Sequence, residues 1–296
     1  MKKIWLIGAL IAQSALAAPK VVTTIKPIHA IASQVMEGVS EPTLLIKQAS
    51  PHGYQLTTQD AKTLNDADVV VWTGKDMETF IPSIAAKVNA QFIDWSSLTG
   101  VELLATRFGG SWGEHDHAEG EDHHHGEHDL HLWLSTYNAS ILATEIAKAL
   151  SSLDPENAEK YQANAKATRL ELSKLHKELH DKLKPYQKQA YLVFHDAYQY
   201  FEHDYDLGAV GSVRVTPEHE ANPKRLAELH QMLSEKQIVC VFKEPQFPSR
   251  LVDKLVSGTQ VKTGILDPLG TDVPVGKGAY AGILHQLADD LIACLK

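Results

Sequence analysis

Short apolar, β-branched runs alternate with longer amphipathic stretches over most of this chain. Residues 20–25, 43–46 (TLLI), 68–72 (DVVVW) and 92–95 read as strands, and their near-continuous apolar character is that of buried parallel strands. Helical spacing fills the gaps. One helix opens at Pro27, one at Thr57 with a T-x-x-D capping pattern ending at Asp60, and one spans 77–88. This alternation predicts an α/β lobe on a parallel sheet.

The rhythm restarts after Pro185. Strands are expected at 190–194 (AYLVF), 208–215, 238–242 and 261–266. Asn222–Pro223 is a cap followed by a first-turn proline and opens a helix to about residue 235. The last helix starts near residue 278 and presents Tyr280, Ile283, Leu284, Leu287 and Leu291 on its inner face.

Between these two halves the helical period dominates. A helix is expected over 135–150, and Asp154–Pro155 starts a longer one that Pro185 stops. Tyr161, Ala165, Leu172, Leu175, Leu179 and Leu183 form a single stripe along it. Thirty residues at 1.5 Å each make ~45 Å, long for a helix inside one lobe. A coiled coil is the competing reading, but one short stripe packs more naturally along its own chain. The predicted organisation is therefore a lobe over 18–153, a linking helix over 154–184 and a second lobe over 185–296. A chain of 296 residues also exceeds what one compact core usually holds.

One segment has no apolar face of either period. Residues 109–128 read GGSWGEHDHAEGEDHHHGEH and cannot offset the entropy of ordering by burial, so a long flexible loop is expected there. The N-terminus is different again. Lys2 and Lys3 precede a short apolar run, and Ala15-Leu16-Ala17 supplies an A-x-A cleavage site, the pattern of a signal peptide over 1–17. The run is too short to span a bilayer. No cysteine lies at the cleavage point to carry a lipid. The mature chain is expected in the bacterial periplasm.

Composition narrows the partners. The net charge of −9 becomes −11 without Lys2 and Lys3, which argues against nucleic acid or an anionic membrane as partner and suits a cation. Cys240 and Cys294 are the two cysteines, and in an exported chain an even pair reads as one disulfide. A soft metal site is the alternative, without a third ligand nearby to complete it.

Sixteen histidines are the chemical signal. Residues 114–128 hold six of them, His115, His117, His123, His124, His125 and His128, among six acidic residues. That composition suits weak, exchangeable metal capture. A solvated linker is the bland alternative. Elsewhere, His52 lies in a loop after a strand and His195 directly follows one. Ligands of open α/β sheets bind at carboxyl ends of strands, so a metal between these two would sit in the cleft between lobes. His131 begins the element after the flexible loop and can face the same cleft. Imidazole favours Zn²⁺, Cu²⁺ or Ni²⁺ over the oxygen-seeking Mg²⁺, Ca²⁺ and Mn²⁺. Three histidines with water or a carboxylate make a tetrahedral zinc set, and Asp267, at the end of the last strand, is placed to be the fourth ligand.

Five stretches together carry a resemblance: residues 50–74 (SPHGYQLTTQDAKTLNDADVVVWTG), 131–135 (HLWLS), 193–205 (VFHDAYQYFEHDY), 216–226 (TPEHEANPKRL) and 265–270 (ILDPLG). They resemble, in order and over nearly the whole mature chain, the zinc-specific periplasmic solute-binding proteins of ABC importers, a branch of the cluster A-I metal-binding family. The resemblance implies two Rossmann-like lobes joined by one rigid helix, with the metal in the cleft. It places the metal positions on His52, His131, His195 and Asp267. Manganese-type relatives carry a carboxylate at the third of these, so His195 points to the zinc branch. Some zinc members have an acidic residue before the first histidine, where this chain has Pro51, and water can replace the Asp267 position at the metal. A Cys240–Cys294 disulfide is also implied.

The expected function is high-affinity capture of Zn²⁺ and its delivery, by a monomer, to the membrane permease of an importer. No chemistry is done on the cargo. The rival classes are a periplasmic zinc hydrolase, for which neither an H-E-x-x-H motif nor a suitably spaced partner for Glu202-His203 occurs, a manganese or iron carrier, and a metal-dependent adhesin.

Overall fold

In the computed structural model, residues 17–107, 126–214, 223–235 and 237–296 are described. The expected signal peptide up to residue 16, loop histidines His115, His117, His123, His124 and His125, and the Asn222 cap lie outside the described residues. No described helix is long and apolar enough to cross a membrane.

The first lobe runs β1 (Val21–Thr23), α1 (Lys26–Val35), β2 (Thr43–Leu44), α2 (Thr58–Asn65), β3 (Val69–Trp72), α3 (Ile81–Ala85) and β4 (Gln91–Asp94). Its four strands are all parallel in the order β2-β1-β3-β4. Every residue of β1 and β3 is buried, which is why these strands read as unbroken apolar runs. The Thr57–Asp60 capping box forms, with the Asp60 amide bonded to the Thr57 hydroxyl at 3.2 Å and the Thr57 amide to the Asp60 carboxylate at 2.9 Å.

After a 3₁₀ turn over Leu132–Leu134 come α4 (Thr136–Leu153) and the long α5 (Ala158–Leu183). The second lobe follows as β5 (Tyr191–Val193), α6 (Gln199–Tyr205), β6 (Ala209–Ser212), α7 (Pro223–Glu235), β7 (Cys240–Lys243), α8 (Arg250–Val256), β8 (Lys262–Ile265) and α9 (Ala279–Leu295). Its parallel sheet has the order β6-β5-β7-β8, the order of the first sheet repeated. Each sheet reverses its strand order beside its first strand, which puts the ligand-binding crevice of the second lobe at the carboxyl ends of β5 and β7.

Several boundaries differ from the sequence reading. The helix expected over 77–88 shrinks to the five residues of α3. Pro82 favours a start at its first turn, and residues 74–78 instead form a turn that buries Glu78. There the Glu78 carboxylate accepts from Thr24 Oγ1 at 2.6 Å and from the Thr73 and Gly74 amides. The linking helix starts later than residue 154. Asp154 spends its carboxylate on Asn157 Nδ2 (2.8 Å) and Tyr161 OH (2.9 Å), so Pro155–Asn157 winds as a 3₁₀ turn. At 26 residues α5 is about 39 Å long.

The stripe on α5 is buried as expected, but it serves both lobes. It packs against α1, α4 and α9, and one continuous apolar core runs from Ile31 and Val70 through Leu172 and Leu179 to Leu284 and Leu291. Polar bonds pin the seam further. Lys26 Nζ of the first lobe donates to the carbonyls of Gly270, Thr271 (3.1 Å) and Val273 (2.9 Å) in the second. Trp133 Nε1 donates to Pro268 O (2.7 Å), and Tyr280 OH to Trp133 O (2.8 Å). Lobes fused this way cannot swing apart as rigid bodies without breaking a core.

Cys240 and Cys294 form the disulfide, with Cα atoms 6.0 Å apart, and staple α9 to β7.

Candidate metal centre

Three imidazoles from distant stretches meet at the seam. His52 comes from the loop after β2, His131 from the residue before the 3₁₀ turn, and His195 from just beyond β5. One ring nitrogen from each lies within 4.8 Å of the other two. His52 Nε2 and His131 Nε2 are 3.2 Å apart, and His195 Nε2 and His131 Nε2 are 3.4 Å apart. Two Zn–N bonds of about 2.05 Å at the tetrahedral angle span about 3.3 Å.

The far nitrogens settle what the near ones carry. His131 Nδ1 is 2.7 Å from Asp129 Oδ1, and His195 Nδ1 is 2.8 Å from Glu244 Oε1. A carboxylate there favours the Nδ1–H tautomer, which leaves lone pairs on Nε2 of both rings. Lone pairs that converge at hydrogen-bond distance repel each other unless a cation stands between them. His131 and His195 are only 6% and 4% exposed, and His52 is half-buried. Trp133, Phe247, Pro268 and Leu269 wall the small cavity around them.

Burial also keeps the rings unprotonated. It holds the His131 and His52 pKa values well below the usual imidazole range, with the neighbouring imidazoles pushing the same way. The same burial pushes the Asp129 carboxyl up to about 7, against the stabilising His131 amide, which donates to it at 2.9 Å.

Asp267 stands outside this group of three. Its Oδ1 accepts from Gln246 Nε2 (2.7 Å) and Leu269 N (3.0 Å), and its Oδ2 from Thr271 N. It closes the turn that presents Pro268 and Leu269 to the cavity. His128 lies at the base of the charged loop, in an antiparallel bridge with Ala105.

The residues behind the histidines escaped the sequence reading. Asp129 sits two positions before His131. Glu244 follows β7 as His195 follows β5, so the strand-end rule that singled out His195 applied equally to it. Arg107 is the third. It forks onto Asp196 (Nε to Oδ2, 2.9 Å) and reaches Glu202 (Nη1 to Oε2, 2.7 Å), so the chain entering the charged loop is bonded to the residue next to His195. Burial works against the Arg107 charge, but Glu202 and Asp196 outweigh it and hold its pKa above the ordinary value.

Because Glu244 orients the His195 ring, Glu244→Gln is expected to weaken zinc binding by about 10–100-fold without removing a nitrogen that faces the ion. Competition against a chelator of known affinity measures it.

Two fused α/β lobes around a buried trio of inward-facing imidazoles have the build of a metal-capturing solute-binding protein. A family model described as the periplasmic component A of the zinc-uptake complex, ZnuA, matches residues 21–294. The high-affinity zinc uptake system protein ZnuA of Brucella abortus is 38% identical over 304 aligned residues, covering 93% of this chain and 91% of its own. The protein of that name from Yersinia pestis is 37% identical, covering 100% and 99%. A crystal structure of ZnuA superposes with a TM-score of 0.78 at 25% identity, over 94% of this chain and all of the other. The chain belongs to the ZnuA family.

Proposed function

We propose that this chain captures Zn²⁺ in the periplasm and delivers it to the permease of an ABC-type importer in the inner membrane. His52, His131 and His195 are the ligands, each through Nε2. Water or a small movement of Asp267 completes the shell. The observation that carries this reading is the convergence of three Nε2 atoms whose partner nitrogens, in two rings, face carboxylates. Family membership supports zinc as the cargo and the importer as the destination.

No reaction on the cargo is proposed. A hydrolytic zinc would need a base aimed at its bound water, whereas Asp129 and Glu244 are committed to His131 and His195. The protein acts as a monomer after cleavage of residues 1–17. Delivery proceeds through local rearrangement around the cavity, since the continuous core resists wide opening.

Two expectations follow. Only neutral imidazole binds zinc, and burial moves the titration of His52 and His131 below the usual range of about 6.5. Zinc is therefore retained as pH falls from 8 to 6 and lost at lower pH. Zinc content after dialysis at stepped pH checks this, and half-release above pH 6.5 contradicts it. Deleting residues 113–128 is expected to lower equilibrium affinity by less than about tenfold, because the loop supplies none of the three nitrogens. Calorimetric titration of the deletion variant tests that.

A further inference from the structure

Away from the cleft, α4 and α5 leave an open groove of about 860 Å³ between them. It shares no lining residue with the cavity around His52, His131 and His195. One wall is a ladder of small side chains on α4, Thr136, Ser140 and Thr144, each about one turn from the next. The other wall, on α5, runs from Gln162 to His176, about 21 Å or four turns. Tyr137 and Leu170 line the groove and are 54% and 57% exposed, two of the five large apolar side chains left in solvent among the described residues. Exposed apolar groups gathered on one concave face mark a contact surface. The charge there runs against that of the chain. The net charge is −9, yet Lys166 and Arg169 line the groove and no carboxylate does. Both cations are exposed, and neither side chain makes an ion pair or a hydrogen bond among the described residues. Glu145, beside Thr144 on α4, is paired with Lys148 at 3.3 Å.

We propose that this groove binds an acidic amphipathic helix of a second protein, with its apolar side chains on Tyr137 and Leu170 and its carboxylates on Lys166 and Arg169. Two packed helices present ridges at helical spacing, and a third helix fits the groove between them. The small side chains of the α4 wall let that helix approach closely. An extended segment would find no strand edge to join, because both walls are helical. A second copy of this chain fits badly. A two-fold contact sets one patch against itself, which would bring Lys166 and Arg169 against the same two cations. Two chains of the same net charge also repel each other. Tyrosine and arginine are the side chains that most often anchor such contacts, and the groove holds one of each. The contact is separate from the metal site and does not depend on which ion the cleft holds.

The test is proton–nitrogen NMR of the full mature chain, titrated with a stapled helical peptide of about eighteen residues, long enough to span the α5 wall, with leucine on one face and glutamate on the other. A matched peptide with lysine in place of glutamate is the comparison. The glutamate peptide is expected to shift the amides of Tyr137, Thr144, Lys166 and Leu170 and to bind at least about tenfold more tightly than the lysine peptide at low salt. The double variant Lys166→Glu, Arg169→Glu is expected to reverse that order and to bind zinc as the parent does. Equal binding of the two peptides would overturn the proposal, since the contact is then apolar adhesion alone. So would shifts confined to other surfaces, or none up to about 1 mM peptide. Sedimentation of the parent supplies the last arm: a dimer that Tyr137→Ala dissociates would assign the face to a second copy and overturn the proposal as well.

Discussion

Replacing His195 with alanine is expected to lower zinc affinity by about 70- to 1,000-fold. Structural zinc sites bind with about 10–16 kcal/mol, and shared over four ligands this is about 2.5–4 kcal/mol for each nitrogen. The loss reaches beyond the missing bond. Glu244 is almost wholly buried and spends Oε1 on the His195 ring, so alanine strands that carboxylate beside an opened cavity. The residual site would be two imidazoles and water, a poor match to tetrahedral zinc. His230→Ala, an exposed position on α7, serves as the control and should bind as the parent does. Calorimetric titration of both variants gives the answer directly. A loss of less than about tenfold in His195→Ala would remove His195 from the ligand set.

Loss of the disulfide is expected to act on the fold and spare the site. Cys240 and Cys294 are 54 residues apart in sequence, and closing a loop of that length contributes about 4 kcal/mol in the chain-entropy account. For a chain of this size that is a fall of about 10 °C in melting temperature. The bond joins α9 to the amino end of β7, whereas Glu244 lies beyond the carboxyl end of the same strand. Zinc affinity at 25 °C should therefore change little in the double variant Cys240→Ala, Cys294→Ala. Thermal unfolding followed by circular dichroism, with zinc removed, measures the effect. A shift of under 2 °C would show that the packing of Leu287, Leu291 and Ile292 alone holds α9 in place.

What could be read before the structure follows from how each feature is encoded. Parallel strands are buried on both faces, so β1, β3, β5 and β7 announced themselves as apolar runs. The stripe on α5 was visible for the same reason, although the sequence could not say that it would be shared between lobes. His195 stood out as a candidate because its place after a strand has a physical meaning. Short helices were invisible: α6 and α8 have seven residues each, too few for a period to emerge. The bonds behind the ligands were also hidden. Glu244 is 49 positions from His195, and only the folded sheet makes them neighbours. Asp267, after β8, is a candidate fourth ligand by the same rule, and its oxygens also accept from the backbone amides of Leu269 and Thr271, contacts that strand position alone cannot reveal. Residues 109–125 remain a matter of composition, outside the described residues.

The tautomers assigned at the seam make the most direct test, through nitrogen NMR of the histidine rings at one equivalent of zinc. A three-histidine site requires that Nε2 of His52, His131 and His195 all move to metal-bound shifts, while Nδ1 of His131 and His195 keep their protons against Asp129 and Glu244. Zinc that shifts the loop histidines and leaves these three rings unmoved would contradict it.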